Sequence, residues 1–174
     1  MEDFPLFYQV NSLMWGGCRA AFLSPGGRKD ETMYYLTAEA AFDSAHFLNG
    51  YEGKCANLHG HRWRVVAKVG GEKLQESGEK VGMLLDFSDL KRELRALAET
   101  LDHKLIVEKY SLQLSTMDAM EAEGFEVVEL PFRPTAENLA RHLYQEMEKL
   151  GFPMVSMTVY ETPDNCAVYE EGRL

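Results

Sequence analysis

The sequence predicts an α+β fold, an antiparallel sheet carrying two helices on one face. Three observations lead there. Two runs, 34–47 and 60–71, alternate in the two-residue period of half-buried strands. Two apolar stripes, Leu90-Leu94-Leu97-Leu101 and Leu139-Leu143-Met147-Leu150, follow helical spacing. Two further strand-like runs, from Met154 and from Cys166, close the chain around the turn at Asp164-Asn165. The order is β-β-α-insert-α-β-β, without internal repeats or a linker rich enough to split domains.

The elements follow in chain order. Residues 1–32 hold no sustained period, because Gly16-Gly17 and Ser24-Pro25-Gly26-Gly27 interrupt it. They are expected to be disordered or an extension ahead of a start at Met33, with Cys18 playing no role, and a single domain is expected over 33–174. In the second run His59, His61, Trp63, Val65, Ala67 and Val69 share one parity, and Arg62, Arg64 and Lys68 share the other. Gly70-Gly71 ends that strand, and a charged turn spans Glu72 to Gly82. Met83 to Phe87 reads as a short strand or the approach to a helix, which Ser88 would cap. Residues 105–132 are acidic and weakly patterned. A short helix from Ser115 to Gly124 and a strand over Phe125–Phe132 are the expectations there. Pro134 then punctuates, Thr135 caps the second helix, and Gly151 stops it. His142 lies off that helix's stripe and is expected in solvent.

Composition narrows the function. A chain of 174 residues can bury a sizeable core, and 45% hydrophobic with 26% charged residues is ordinary for a globular protein. The net charge of −10 argues against a nucleic-acid surface, and an anionic substrate would need a local cationic spot. Three irregularly placed cysteines do not form a disulfide framework, which favours a reducing cytoplasm. No apolar stretch approaches the roughly 20 residues of a membrane span, and the acidic start lacks the order of a signal peptide.

Phe42 to Val69 carries the chemistry, with His46, His59, His61 and Cys55. In a strand His59 and His61 project from one face, about 7 Å apart. If the two runs pair as a hairpin across the Gly50–Leu58 loop, His46 joins them. Three neutral imidazoles at one point describe a catalytic zinc site with an open fourth position. Two other readings fit the same residues: surface or core histidines without a metal, and a structural zinc site closed by Cys55.

Cys55-Ala-Asn-Leu-His59-Gly-His61, with a histidine on the preceding strand, resembles the 6-pyruvoyltetrahydropterin synthase family. The likeness runs from about Met33 to Glu171 and includes Leu101-Asp102-His103, Pro134-Thr135-Ala136-Glu137-Asn138 and Tyr160-Glu161-Thr162. Three residues between the cysteine and the His-Gly-His look like the branch that forms 6-carboxytetrahydropterin, a precursor of queuosine. The resemblance implies the tunnelling fold and a homo-oligomer, commonly a hexamer, with active sites between subunits. It implies zinc on His46, His59 and His61, and 7,8-dihydroneopterin triphosphate as substrate. Cys55 would be the base and Asp102 with His103 the partner acid–base pair. Glu161 would anchor the pterin, and Thr135 belongs to the same substrate site. Lys54, Lys104 and Arg133 are candidates for the triphosphate. The alternatives are the pyruvoyl-forming reaction and a non-catalytic zinc- or pterin-binding protein.

Overall fold

The computed structural model describes residues 33–172; the expectations for residues 1–32, Cys18 included, lie outside them. Strand β1 (Tyr34–His46) and strand β2 (His59–Gly71) form the long hairpin, in register from Tyr34 opposite Gly71 to His46 opposite His59. The alternation does what its parity requires. Ala38, Phe42, Ser44 and His46 of β1 are buried with Trp63, Val65, Ala67 and Val69 of β2, while Glu39, Arg62 and Arg64 face outward.

Helix α1 (Phe87–Glu99) follows, packed on β1. Its cap is Asp86 and not Ser88: the Asp86 carboxylate accepts from the Ser88 N–H at 2.7 Å, satisfying one of the helix's orphan donors. Residues 83–86 form its approach without becoming a strand. Leu90, Leu94 and Ala98 are buried, and Leu101 is also buried, but beyond the helix end.

The weakly patterned segment holds more order than its sequence shows. Strand β3 (Leu105–Glu108), helix α2 (Leu114–Ala122) and strand β4 (Val127–Leu130) lie within it. Strand β3 pairs parallel to β1 and to β4, so the sheet is mixed: the antiparallel expectation holds for β1, β2, β5 and β6. Four residues are too few to print a period, which is why β3 escapes a pattern reading. Helix α2 buries no residue, so what the insert adds to the core comes from its strands, through Ile106 and Leu130.

Helix α3 (Ala136–Lys149) is capped by Thr135, whose hydroxyl accepts from the Asn138 N–H at 3.4 Å. Leu139, Leu143 and Met147 are buried, whereas Leu150 is exposed, because the helix ends there and Gly151 takes a positive φ of 89°. His142 is half-buried and not fully in solvent: its ring lies 5.4 Å from that of Phe132, and burial pushes its pKa down. Strands β5 (Met154–Thr162) and β6 (Asn165–Tyr169) complete a sheet of order β4-β3-β1-β2-β5-β6. Helices α1 and α3 cover its apolar face, with Trp63, Phe42, Leu90, Leu139 and Met157 among the fully buried side chains. Among the described residues no helix is long and apolar enough to cross a membrane.

Candidate metal centre and active site

The loop end of the β1–β2 hairpin gathers the histidines. His46 faces His59 across the ladder, and His61 lies two residues further along the same face. Ring centroids are 4.5 Å apart for His46 and His59, 5.2 Å for His46 and His61, and 4.9 Å for His59 and His61. Trp63, fully buried, forms the floor, its ring 4.9 Å from His46 and 5.3 Å from His61.

Hydrogen bonds decide which nitrogens point inward. His46 Nδ1 donates to the Pro134 carbonyl at 2.8 Å and His59 Nδ1 to the Asn57 carbonyl at 2.7 Å. A carbonyl can only accept, so both Nδ1 atoms hold a proton, and in the neutral ring the lone pair is then on Nε2. Burial pushes His46 and His61 below the usual imidazole range, which favours the neutral, ligating form. His46 Nε2 and His61 Nε2 are buried and lack a hydrogen bond. Two buried ring nitrogens without a hydrogen bond, facing a third imidazole, fit a bound cation.

Glu161 joins the cluster. Its Oε1 lies 3.4 Å from His46 Nε2 and 3.3 Å from His61 Nε2, and one ligand atom from each of the four residues falls within 4.8 Å of the others. Those contacts match the edge of a tetrahedron with bonds of about 2.1 Å, roughly 3.4 Å. The ladder explains the placement. Glu161 shares the parity of Met157 and Val159 on β5, and the β5–β6 register shifts between Tyr160 and Thr162, making Glu161 the extra residue of a bulge. The sequence reading missed this contact; the parity shared with Met157 and Val159 was its available signal.

Cys55 sits in a single 3-10 turn, Lys54–Ala56, half-buried, its carbonyl accepting from the Leu48 N–H at 2.8 Å. It shares a cavity with His46, Thr135, Glu161 and Cys166. The cluster takes in Glu161 and leaves Cys55 outside.

The Asp102–His103 pair is formed, His103 Nδ1 lying 2.8 Å from Asp102 Oδ2. That contact raises the imidazole's pKa, while the Asp43 N–H and then His103 lower that of the carboxyl. His103 opens into a different cavity, lined also by His61, Arg62, Lys104, Leu58 and Phe125. Within one chain the structure therefore brings Cys55 and Glu161 to the three histidines from one side and His103 from another. Of the cationic candidates, Lys104 lies in the His103 cavity and pairs with Glu126 at 3.2 Å. Arg133 donates to the Asn49 carbonyl, and Lys54 is exposed. Arg62, which the sequence reading passed over as an outward strand residue, lines the His103 cavity and pairs with Asp43 at 2.7 Å.

Comparisons with known proteins identify the family and the fold. The family model for 6-pyruvoyl tetrahydropterin synthase matches residues 35–172. A 6-carboxy-5,6,7,8-tetrahydropterin synthase from Haemophilus influenzae is 35% identical over 147 residues, covering 80% of this chain and 100% of its own. One of the same name from Synechocystis sp. is 32% identical over 144 residues, covering 82% and 97%. An uncharacterized protein from Wolinella succinogenes superposes with a TM-score of 0.66 at 23% identity, covering 81% of this chain and 99% of its own. The 6-pyruvoyl tetrahydropterin synthase from Plasmodium vivax gives 0.61 at 21% identity, with coverage of 80% and 98%. The sheet and helices have the tunnelling fold of these structures. The chain belongs to the 6-pyruvoyl tetrahydropterin synthase family.

Proposed function

We propose that this protein is a zinc-dependent 6-carboxy-5,6,7,8-tetrahydropterin synthase, a lyase that converts 7,8-dihydroneopterin triphosphate to 6-carboxytetrahydropterin, acetaldehyde and triphosphate. The observation that carries the reading is the convergence of His46, His59 and His61 beside a cavity that holds Cys55. The relatives that bear this enzyme's name support it. Its place is the supply of a queuosine precursor in the cytoplasm.

Each residue has a role. His46, His59 and His61 hold zinc, which supplies a Lewis acid for the substrate's side-chain hydroxyls. Cys55 removes a proton from the side-chain carbon. Asp102 orients His103, which accepts and returns protons in later steps. Glu161, whose Oε1 lies beside His46 and His61, would anchor the pterin by accepting from its amino and amide N–H groups. Thr135, in the same cavity, lines the ring site while its hydroxyl caps α3. Lys104 and Arg62, beside His103, are the cations best placed for the triphosphate.

Cys55 and His103 open into different cavities of one chain, which supports a site completed between subunits of a homo-oligomer, a hexamer by family resemblance. The exclusion of Cys55 from the histidine cluster favours its role as base over that of a closing metal ligand. The test is Cys55→Ala. One zinc per chain with turnover lost agrees with the reading, and zinc lost with the thiol refutes it.

A further inference from the structure

We propose that Ser44 is a positioning residue for the Asp102–His103 pair, its buried hydroxyl tying the turn that carries the pair to the metal-bearing strand β1. The inference rests on the reading of that pair as an acid–base element.

Four hydrogen bonds join β1 to the turn after α1. The Ser44 hydroxyl donates to the Leu101 carbonyl. The Asp43 N–H donates to Asp102 Oδ1 at 2.7 Å, the His103 N–H to the Asp43 carbonyl at 2.7 Å, and the Ala45 N–H to the Lys104 carbonyl at 3.2 Å. Residues 101–104 are thus fastened, one after another, to residues 43–45.

His103 needs such fastening. Its φ of 56° lies in the left-handed region, which a non-glycine residue keeps only when its surroundings impose it. Its side chain cannot supply the hold, being largely exposed, with its bond to Asp102 as the contact that orients it. The backbone therefore has to place the imidazole.

Three of the four bonds take backbone groups from β1. Ser44 contributes its side chain, so substitution can remove that bond and leave the ladder intact. Ser44 is 6% exposed and Leu101 3%, so water cannot readily replace the lost donor. Ser44 also lies opposite His61 and two residues before His46 on the same face. The same strand therefore sets both the metal ligands and the dyad.

Zinc-loaded enzyme carrying Ser44→Ala, and Ser44→Thr as the conservative variant, tests the idea. The readouts are zinc content, the His103 titration by NMR of histidine-labelled protein, and the pH profile of kcat with KM measured alongside. The groups facing His103 are Asp102, Asp43 on β1, Glu99 at the end of α1, and Arg62, Lys104 and Glu126 in its cavity. All are kept in both variants. In Ser44→Ala zinc stays at one per chain and the His103 midpoint moves down toward the free-imidazole value. At the same time kcat falls about ten- to a hundredfold with KM little changed. Ser44→Thr restores both. A lowered midpoint with kcat unaltered upholds the positioning and refutes the acid–base role of the pair. An unmoved His103 midpoint, or zinc lost together with activity, overturns the inference. If Ser44→Ala does not fold, Ser44→Cys, a near-isostere with a weaker donor, reads the same midpoint.

Discussion

Each functional side chain owes its state to a neighbour that can be named. The Pro134 and Asn57 carbonyls set the tautomers of His46 and His59, and burial keeps His46 and His61 in the neutral range. Replacing His59 by Ala removes one of three imidazoles, so zinc stoichiometry should fall well below one per chain by elemental analysis. Glu161→Ala should still bind zinc at the three histidines but lose pterin affinity. A carboxylate accepting two charge-assisted bonds from the ring contributes on the order of a few kcal/mol. Fluorescence titration with a dihydropterin measures the loss. His142 gives a pH prediction away from the metal. Burial lowers its folded pKa below 6.5, so the unfolded chain binds the proton more readily. The histidine's contribution is therefore present above pH 6.5 and lost as the pH falls below it. The melting temperature should drop less on acidification from neutrality toward pH 5.5 in His142→Gln than in the parent.

At the scale of elements, legibility tracked length and period. The hairpin carries thirteen residues per strand and a strict alternation, so its bounds and the convergence of His46 with His59 and His61 were readable in advance. Helices α1 and α3 were readable from their leucines. Strand β3 was not: Leu105–Glu108 is four residues long, lies between β1 and β4, and is specified by those partners. Asp86 as the cap of α1 was hidden by Ser88, an equally good capping residue two positions on. Glu161's contact with the histidines lies at the bulge between β5 and β6, and the parity it shares with Met157 and Val159 was its one local signal. Caps and core make separable predictions. Thr135→Ala should destabilise by about 0.5–1 kcal/mol, the low end for a cap because its bond is long at 3.4 Å. Leu94→Ala, at a fully buried position, should cost about 2–5 kcal/mol. Denaturant titration of both variants checks the ranking.

For the whole molecule, the consequence of the fold is that one chain presents Cys55 and the Asp102–His103 pair to separate cavities. An oligomer whose active sites lie between subunits would bring a thiol from one copy to an imidazole from another. Mixing Cys55→Ala and His103→Ala chains, unfolding them and refolding them together, should then recover a fraction of turnover that neither variant shows alone. Inactivity of the mixed oligomers would place the complete site within one chain.

The central claim concerns the product, because the pyruvoyl- and carboxy-forming reactions share the metal, the base and the substrate. They differ in whether a side-chain carbon–carbon bond breaks. Cys55 stands four residues before His59, in a turn pinned to Leu48, and that short tether confines where its sulfur can reach. The decisive measurement is product analysis of zinc-loaded protein given 7,8-dihydroneopterin triphosphate, with a carbonyl trap for volatile aldehyde. The account predicts acetaldehyde in equal amount to 6-carboxytetrahydropterin. Pyruvoyltetrahydropterin as the main product, with no acetaldehyde trapped, would contradict it.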